Sequence, residues 1–186
     1  MSRRCADATT LMAGASLLAL ALQVMSAASP TGQPCTEDAE VVTIEDDGLR
    51  QAIQKQLMLA TDAVLTCKDM KSLRELTARE LNIKSLAGLE HAINLERLDC
   101  GRNNLTTLTP LTGLNQLTEL RVERNRIRDL EALQDNTTLR TGFRLHIHFN
   151  CLDVSDGSSA SKAINAFVLR GWQIEYKPNP SEDCPK

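Results

Sequence analysis

The 186-residue sequence has no Cys-x-x-Cys pair, no block of consecutive Lys and Arg beyond its N-terminus and, past residue 28, no long apolar run. Each absence removes a class of protein. The first removes a structural zinc module, whose tetrahedral site needs closely spaced thiolates. The second, with a net charge of −3, argues against nucleic acid and against an anionic membrane surface, since both need clustered cations. The third leaves no candidate for a spanning helix in the body of the chain. No cofactor motif is present, and no nucleophile, base and orienting group fall into a recognisable order, so no enzyme is expected.

What is present begins with an export leader. Arg3 and Arg4 form a positive start, residues 11–24 an apolar stretch, and Ser26, Ala27 and Ala28 a small-residue cleavage site. That stretch is about 14 residues, short of the roughly 20 needed to span a bilayer. Residues 1–28 are therefore read as a signal peptide cleaved near Ala28, which makes the product secreted or periplasmic, without a membrane anchor. Without Arg3, Arg4 and Asp7 the counts become 19 basic and 23 acidic residues, net −4. The remaining length suits one domain.

A fixed period organises that domain. Leu73, Leu95, Leu117 and Leu139 are each 22 residues apart, and the same step relates Leu76, Leu98 and Leu120; Ala78, Cys100 and Val122; Ile83, Leu105 and Ile127; Leu86, Leu108 and Leu130; and Leu89, Leu111 and Leu133. Within each unit Leu98 and Cys100, or Leu120 and Val122, alternate with polar residues, the period of a strand with one face inward. A repeat of this length with Leu-x-x-Leu-x-Leu phrasing marks a solenoid of parallel strands. Asn103 and Asn125 fall where the chain leaves the strand, and a buried amide there can satisfy backbone groups left unpaired by the turn. Leu81 holds that phase in the first unit, a departure suited to a terminal repeat. Pro110 and Gly113 on the return path predict a short 3₁₀ segment on the convex side. From Asn125 to Asn150 the step is 25, so the last unit carries about three extra residues near 140–143, with Leu145 and Ile147 inward.

This phrasing resembles the internalin family of bacterial leucine-rich-repeat proteins over roughly residues 45–177. The fold expected is an α/β leucine-rich-repeat solenoid, a short horseshoe with a parallel sheet. Its expected division is an extended segment at 29–45, a helical cap at 46–72, repeats at 73–149 and a helix-strand cap at 150–186. In the first cap Leu49, Ala52, Ile53 and Leu57 form one face of a helix starting near Asp46 or Asp47, and Thr66 with Asp69 opens a second; the arrangement is similar to the cap that precedes internalin repeats. In the second cap a helix carries Ile164, Phe167 and Val168 and stops at Gly171. Trp172, Ile174 and Tyr176 then alternate along a closing strand, with both aromatics expected in cap packing and an exposed aromatic patch for a partner as the alternative.

Cys5 lies in the leader, leaving five cysteines. Cys35 and Cys67 flank the first helix, and Cys151 and Cys184 bracket the second cap, so these are the disulfides expected; the sequence alone does not fix the connectivity. Cys100, at an inward phase, reads as a small buried hydrophobe.

Parallel strands in register place equivalent outward residues side by side. The columns run Glu75, Arg97, Glu119, Arg144; Thr77, Asp99, Arg121, His146; and Arg79, Gly101, Glu123, His148. These charges form either a self-satisfying ladder on the sheet or a binding face, and the two are compatible. The resemblance implies a protein-protein interaction module, its concave face meeting another protein or cell-surface macromolecule through Arg97, Asp99, Glu119, Arg121, Glu123, His146 and His148. Two alternatives remain at this stage. His146 and His148, two apart on one strand face, could serve a secreted metal-dependent hydrolase, although zinc sites need three or four ligands; or the protein could be a structural envelope component without a tight partner. The Ser-rich stretch at 155–159 reads as helix capping.

Overall fold

The computed structural model describes residues 34–177 and Cys184; the leader expected at 1–28 lies outside them. Helix α1 (Asp47–Gln56) and helix α2 (Cys67–Ser72) precede strands β1 (Glu75–Thr77), β2 (Arg97–Asp99) and β3 (Glu119–Arg121). One turn of helix, α3 (Glu131–Gln134), leads to β4 (Arg144–His146), followed by α4 (Ser159–Leu169) and β5 (Gln173–Glu175). The five strands form one parallel sheet in chain order. Leu76, Leu98, Leu120, Leu145 and Ile174 stand in one row across it.

Three coils close on an asparagine. Asn103 Oδ1 accepts the N–H groups of Leu81 and Ile83, both at 3.0 Å. Asn125 Oδ1 accepts from Leu105 at 2.9 Å, and Asn150 Oδ1 from Ile127 at 3.0 Å. The amide nitrogens donate to carbonyls of their own coil and the one before: Asn125 Nδ2 lies 3.1 Å from Val122 O and 2.9 Å from Cys100 O. Leu81, which replaces asparagine in the first coil, is 40% exposed. Just before this phase the backbone turns left-handed at Glu80, Arg102, Arg124 and Phe149, none of them glycine.

Local sequence explains the return paths. Pro110 within the first turn of Thr109–Leu111 leaves a 3₁₀ turn. The equivalent position in the next coil is Ala132, and there the chain makes the α-helical turn α3. At the N-terminal end, Asp46 caps α1 by accepting from Leu49 N–H at 3.1 Å, while its second oxygen accepts from Lys84 N–H at 2.8 Å. One carboxylate thus starts the helix and docks it on the first coil. Gly48 permits that approach, because a Cβ there would stand 2.6 Å from the Leu81 carbonyl oxygen. Thr66 and Asp69 form a reciprocal capping box on α2. Cys35 is bonded to Cys67, and its N–H donates to the buried Nδ1 of His91 at 2.9 Å, pinning the entering strap to the convex side.

The three extra residues of the last coil have a use the spacing did not reveal. Gly142, at φ +87°, donates its N–H to Gly171 O at 2.9 Å and delivers Phe143 into the interior. There Phe143, Trp172 and Phe167 form an aromatic cluster, with Trp172 ring centroids 4.7 Å from Phe143 and 4.3 Å from Phe167. Ile164 and Phe167 of α4 are buried, while Val168 is 56% exposed. One expectation for this cap fails. Tyr176 lies beyond β5 and is 45% exposed, since no further coil stacks on the terminal strand among the described residues. A second disulfide joins Cys151 to Cys184.

The ladder carries a quantitative expectation. Asn125→Ala strands Leu105 N–H, at about 1–3 kcal/mol, and takes one of two donors from Cys100 O and Val122 O, which keep Asn103 Nδ2 and Asn150 Nδ2, so destabilisation of about 2 kcal/mol is expected by urea unfolding at constant m. Leu81→Ala, at the same phase with no such bonds, should stay within about 0.5 kcal/mol of wild type.

Candidate concave binding face

The outward residues of β1 to β5 meet as the register dictates, and their charges pair across strands. Arg97 pairs with Glu75 on the neighbouring strand. Glu119 accepts from Arg121 Nε and Arg144 Nη2, each at 2.6 Å, and His146 Nε2 lies 3.8 Å away. The other ring nitrogen of His146 is 3.0 Å from Glu175 Oε2. A hollow of about 240 Å³ opens over β1 to β3, lined by Glu75, Arg97, Asp99, Glu119 and Arg121 among others.

Glu119 and Glu123, expected on the solvent face, are each only 8% exposed. They do project from the outward side of the sheet, but guanidinium groups lie over them. Arg79 is the most far-reaching of these. Its Nη1 contacts both oxygens of Asp99, at 2.9 and 3.0 Å, and Glu123 Oε1 at 2.6 Å, so one side chain from the first coil binds carboxylates on the second and third. Gly101 leaves the gap it crosses: a Cβ there would stand 2.7 Å from Glu123 Oε1 and 2.9 Å from Arg79 Nη1. The sequence columns contained Arg79, Gly101 and Glu123 side by side, but not the bridge. A lone glycine in a charged column was the signal available.

The pairing sets the protonation of the face. Hydrogen bonding from Arg121 holds the Glu119 carboxyl below its ordinary range, against the opposing effect of burial. Burial would raise Glu123, but hydrogen bonds from backbone and Arg79 outweigh it and the net direction is down. Arg79 is raised by Asp99 and Glu123, and Arg121 chiefly by Glu119. Beneath the sheet, burial pushes the free Cys100 thiol far above its ordinary value, which keeps it protonated and unreactive.

His146 and His148 both rise from the outward side but do not converge. His146 is engaged between two carboxylates, whereas His148 meets the edge of Phe149 at 5.2 Å. Among the described residues no three or more His, Cys, Asp or Glu side chains gather as a metal site. In the Ser-rich turn, Ser158 caps α4 by accepting from Ser161 N–H at 3.1 Å, and its hydroxyl donates to Asp153 O. No helix among the described residues is long and apolar enough to cross a membrane.

A parallel sheet on the inner side, asparagine-closed coils and short helical turns outside are the architecture of a leucine-rich-repeat solenoid. Residues 93–135 match a family model described as leucine-rich repeats in two copies. The chain is similar to an internalin (inlF) from Listeria monocytogenes, with 26% identity and a TM-score of 0.59, covering 76% of this chain and 38% of that one. The functional domain of InlJ from the same organism, which includes a cysteine ladder, shares the fold at 20% identity and a TM-score of 0.57, covering 77% of this chain and 29% of that one. This chain therefore spans well under half the length of either. No curated protein matches the sequence significantly.

Two measurements test the charge bridge. Gly101→Ala should part Arg79 from Glu123 and cost about 1–2 kcal/mol, and most of that cost should vanish in an Arg79→Ala background, as read by a double-mutant cycle. Because Glu119 and Glu123 are depressed in the fold, their stabilisation is complete above the unfolded carboxylate range, about pH 4.3, and is lost as pH falls through the folded values. Stability of wild type between about pH 5 and pH 3 should therefore fall more steeply than that of a Glu119→Gln, Glu123→Gln variant.

Proposed function

We propose that this is an exported protein-binding module whose concave sheet face is the contact surface. The observation that carries the reading is a set of half-exposed arginines, Arg97, Arg121 and Arg144, each held by a carboxylate of the same sheet. Arginine is enriched at binding hot spots. Side chains already fixed by intramolecular pairing lose little further freedom on association, and the alternating charge pattern selects partners more than it adds affinity. Asp99, Glu119, Glu123, His146 and His148 complete the face. The likeness to internalins favours a protein or cell-surface macromolecule as partner. Export is favoured by the leader at 1–28 and by two disulfides, which persist in oxidising compartments.

Photo-crosslinking tests the face directly. With p-benzoylphenylalanine at Thr77 on the sheet, or at Thr106 on the return path, adducts formed in envelope and host-surface extracts are identified by mass spectrometry. A partner that crosslinks from Thr77 and is lost in an Arg97→Glu, Arg121→Glu variant with unchanged circular dichroism is the expected result. Adducts from Thr106 alone would move the site to the convex side.

A further inference from the structure

The C-terminal edge of the sheet, where outward and inward residues of the last strand are both accessible, differs from the rest of the concave face. There His148, Phe149, Ile174, Glu175, Tyr176 and Lys177 line a hollow of about 370 Å³, a volume at the small end of ligand pockets that suits one side chain and its neighbours. Apolar groups dominate its walls: Tyr176 is 45% exposed and Ile174 is only partly buried. Phe149 sits at the left-handed phase that the earlier coils fill with Glu80, Arg102 and Arg124, so an aromatic wall occurs only in this coil.

Two cations and one carboxylate border the hollow. The Arg124 guanidinium lies 4.6 Å from the Phe149 ring centroid, and Lys177 is exposed at the rim. Arg102 follows one coil back, as the backbone bonds from Arg102 N–H to Glu123 O and from Arg124 N–H to His148 O establish, but it is paired with Glu80 at 3.3 Å and leaves Arg124 and Lys177 as the cations of the rim. The carboxylate of the lining, Glu175, is already engaged by His146 at 3.0 Å. An apolar floor with a cationic rim matches an apolar group carried between anions.

We infer that this hollow docks a protein segment presenting one aliphatic or aromatic side chain flanked by carboxylates. The apolar side chain covers Phe149, Ile174 and Tyr176, and the flanking carboxylates meet Arg124 and Lys177 in charge-assisted contacts. Tyrosine and arginine together are the composition of a binding hot spot, and the paired strands β1 to β3 offer no outward aromatic. The inference rests on the concave side being the working surface and adds the chemistry of the partner there.

The test uses the full chain and fluorescein-labelled pentapeptides, read by fluorescence anisotropy. Their central residue is Phe, Leu or Ala and their flanks are all Glu, all Gln or all Lys. Peptides with Glu flanks and a central Phe or Leu should bind, and Tyr176→Ala or Lys177→Glu should each weaken them about tenfold. Both positions are exposed, so these variants keep the fold. Absence of binding across the panel, binding insensitive to both substitutions, preference for Lys flanks, or Tyr176-dependent binding of the neutral oligosaccharide chitohexaose in place of the peptides would overturn the inference. The Arg97→Glu, Arg121→Glu variant keeps the hollow intact. Retained peptide binding there with unchanged partner crosslinking would count against the central face alone, whereas lost crosslinking with no peptide binding by wild type would count against the hollow alone.

Discussion

Buried backbone groups at the exit of each strand are the constraint on which this solenoid depends. The chain must turn inside the molecule, where N–H and C=O groups left without partners are costly. Asparagine meets that demand because one amide supplies an acceptor to the coil before and donors to carbonyls of both coils. Three such residues, Asn103, Asn125 and Asn150, therefore set the spacing between coils, and with it the register of the sheet. The outward charges meet because of that register: Glu119 faces Arg144 across one strand pair, and Arg79 reaches Asp99 and Glu123 across two coils.

Stacking in one dimension leaves two ends to close, and the chain closes them by different means. At the start, the Asp46 carboxylate serves α1 and the first coil together, while the strap bearing Cys35 is tied to α2 and to His91. At the end, three extra residues bring Phe143 against Trp172 and Phe167. The first end relies on directional polar contacts with a disulfide, the second on aromatic packing with a disulfide.

The coils were legible in the sequence because their signal repeats: six apolar phases at one step and an asparagine at a seventh admit few other folds. The return paths were legible too, since Pro110 constrains the backbone locally. What escaped was whatever depended on a single non-periodic contact. No repeat announces that Gly101 is a passage for Arg79. The inserted residues at 140–143 could be counted, but not recognised as the source of a cap aromatic. Val168 carries the right helical spacing and is nevertheless exposed, while Trp172, a residue outside the helix, stacks on Phe167. For the face itself, the columns were readable, whereas the burial of Glu119 and Glu123 followed from arginines whose reach exceeds the spacing of strands.

Cys100 gives the fold a temporal aspect. Beside the four cysteines of the two disulfides the described residues hold a fifth, and any of the four could be captured by it while the chain is open. Its place in the inward row removes it from that competition once the coils on either side have stacked. The repeat core thus acts as a protecting group for its own odd thiol, holding it apart from the disulfides of both caps.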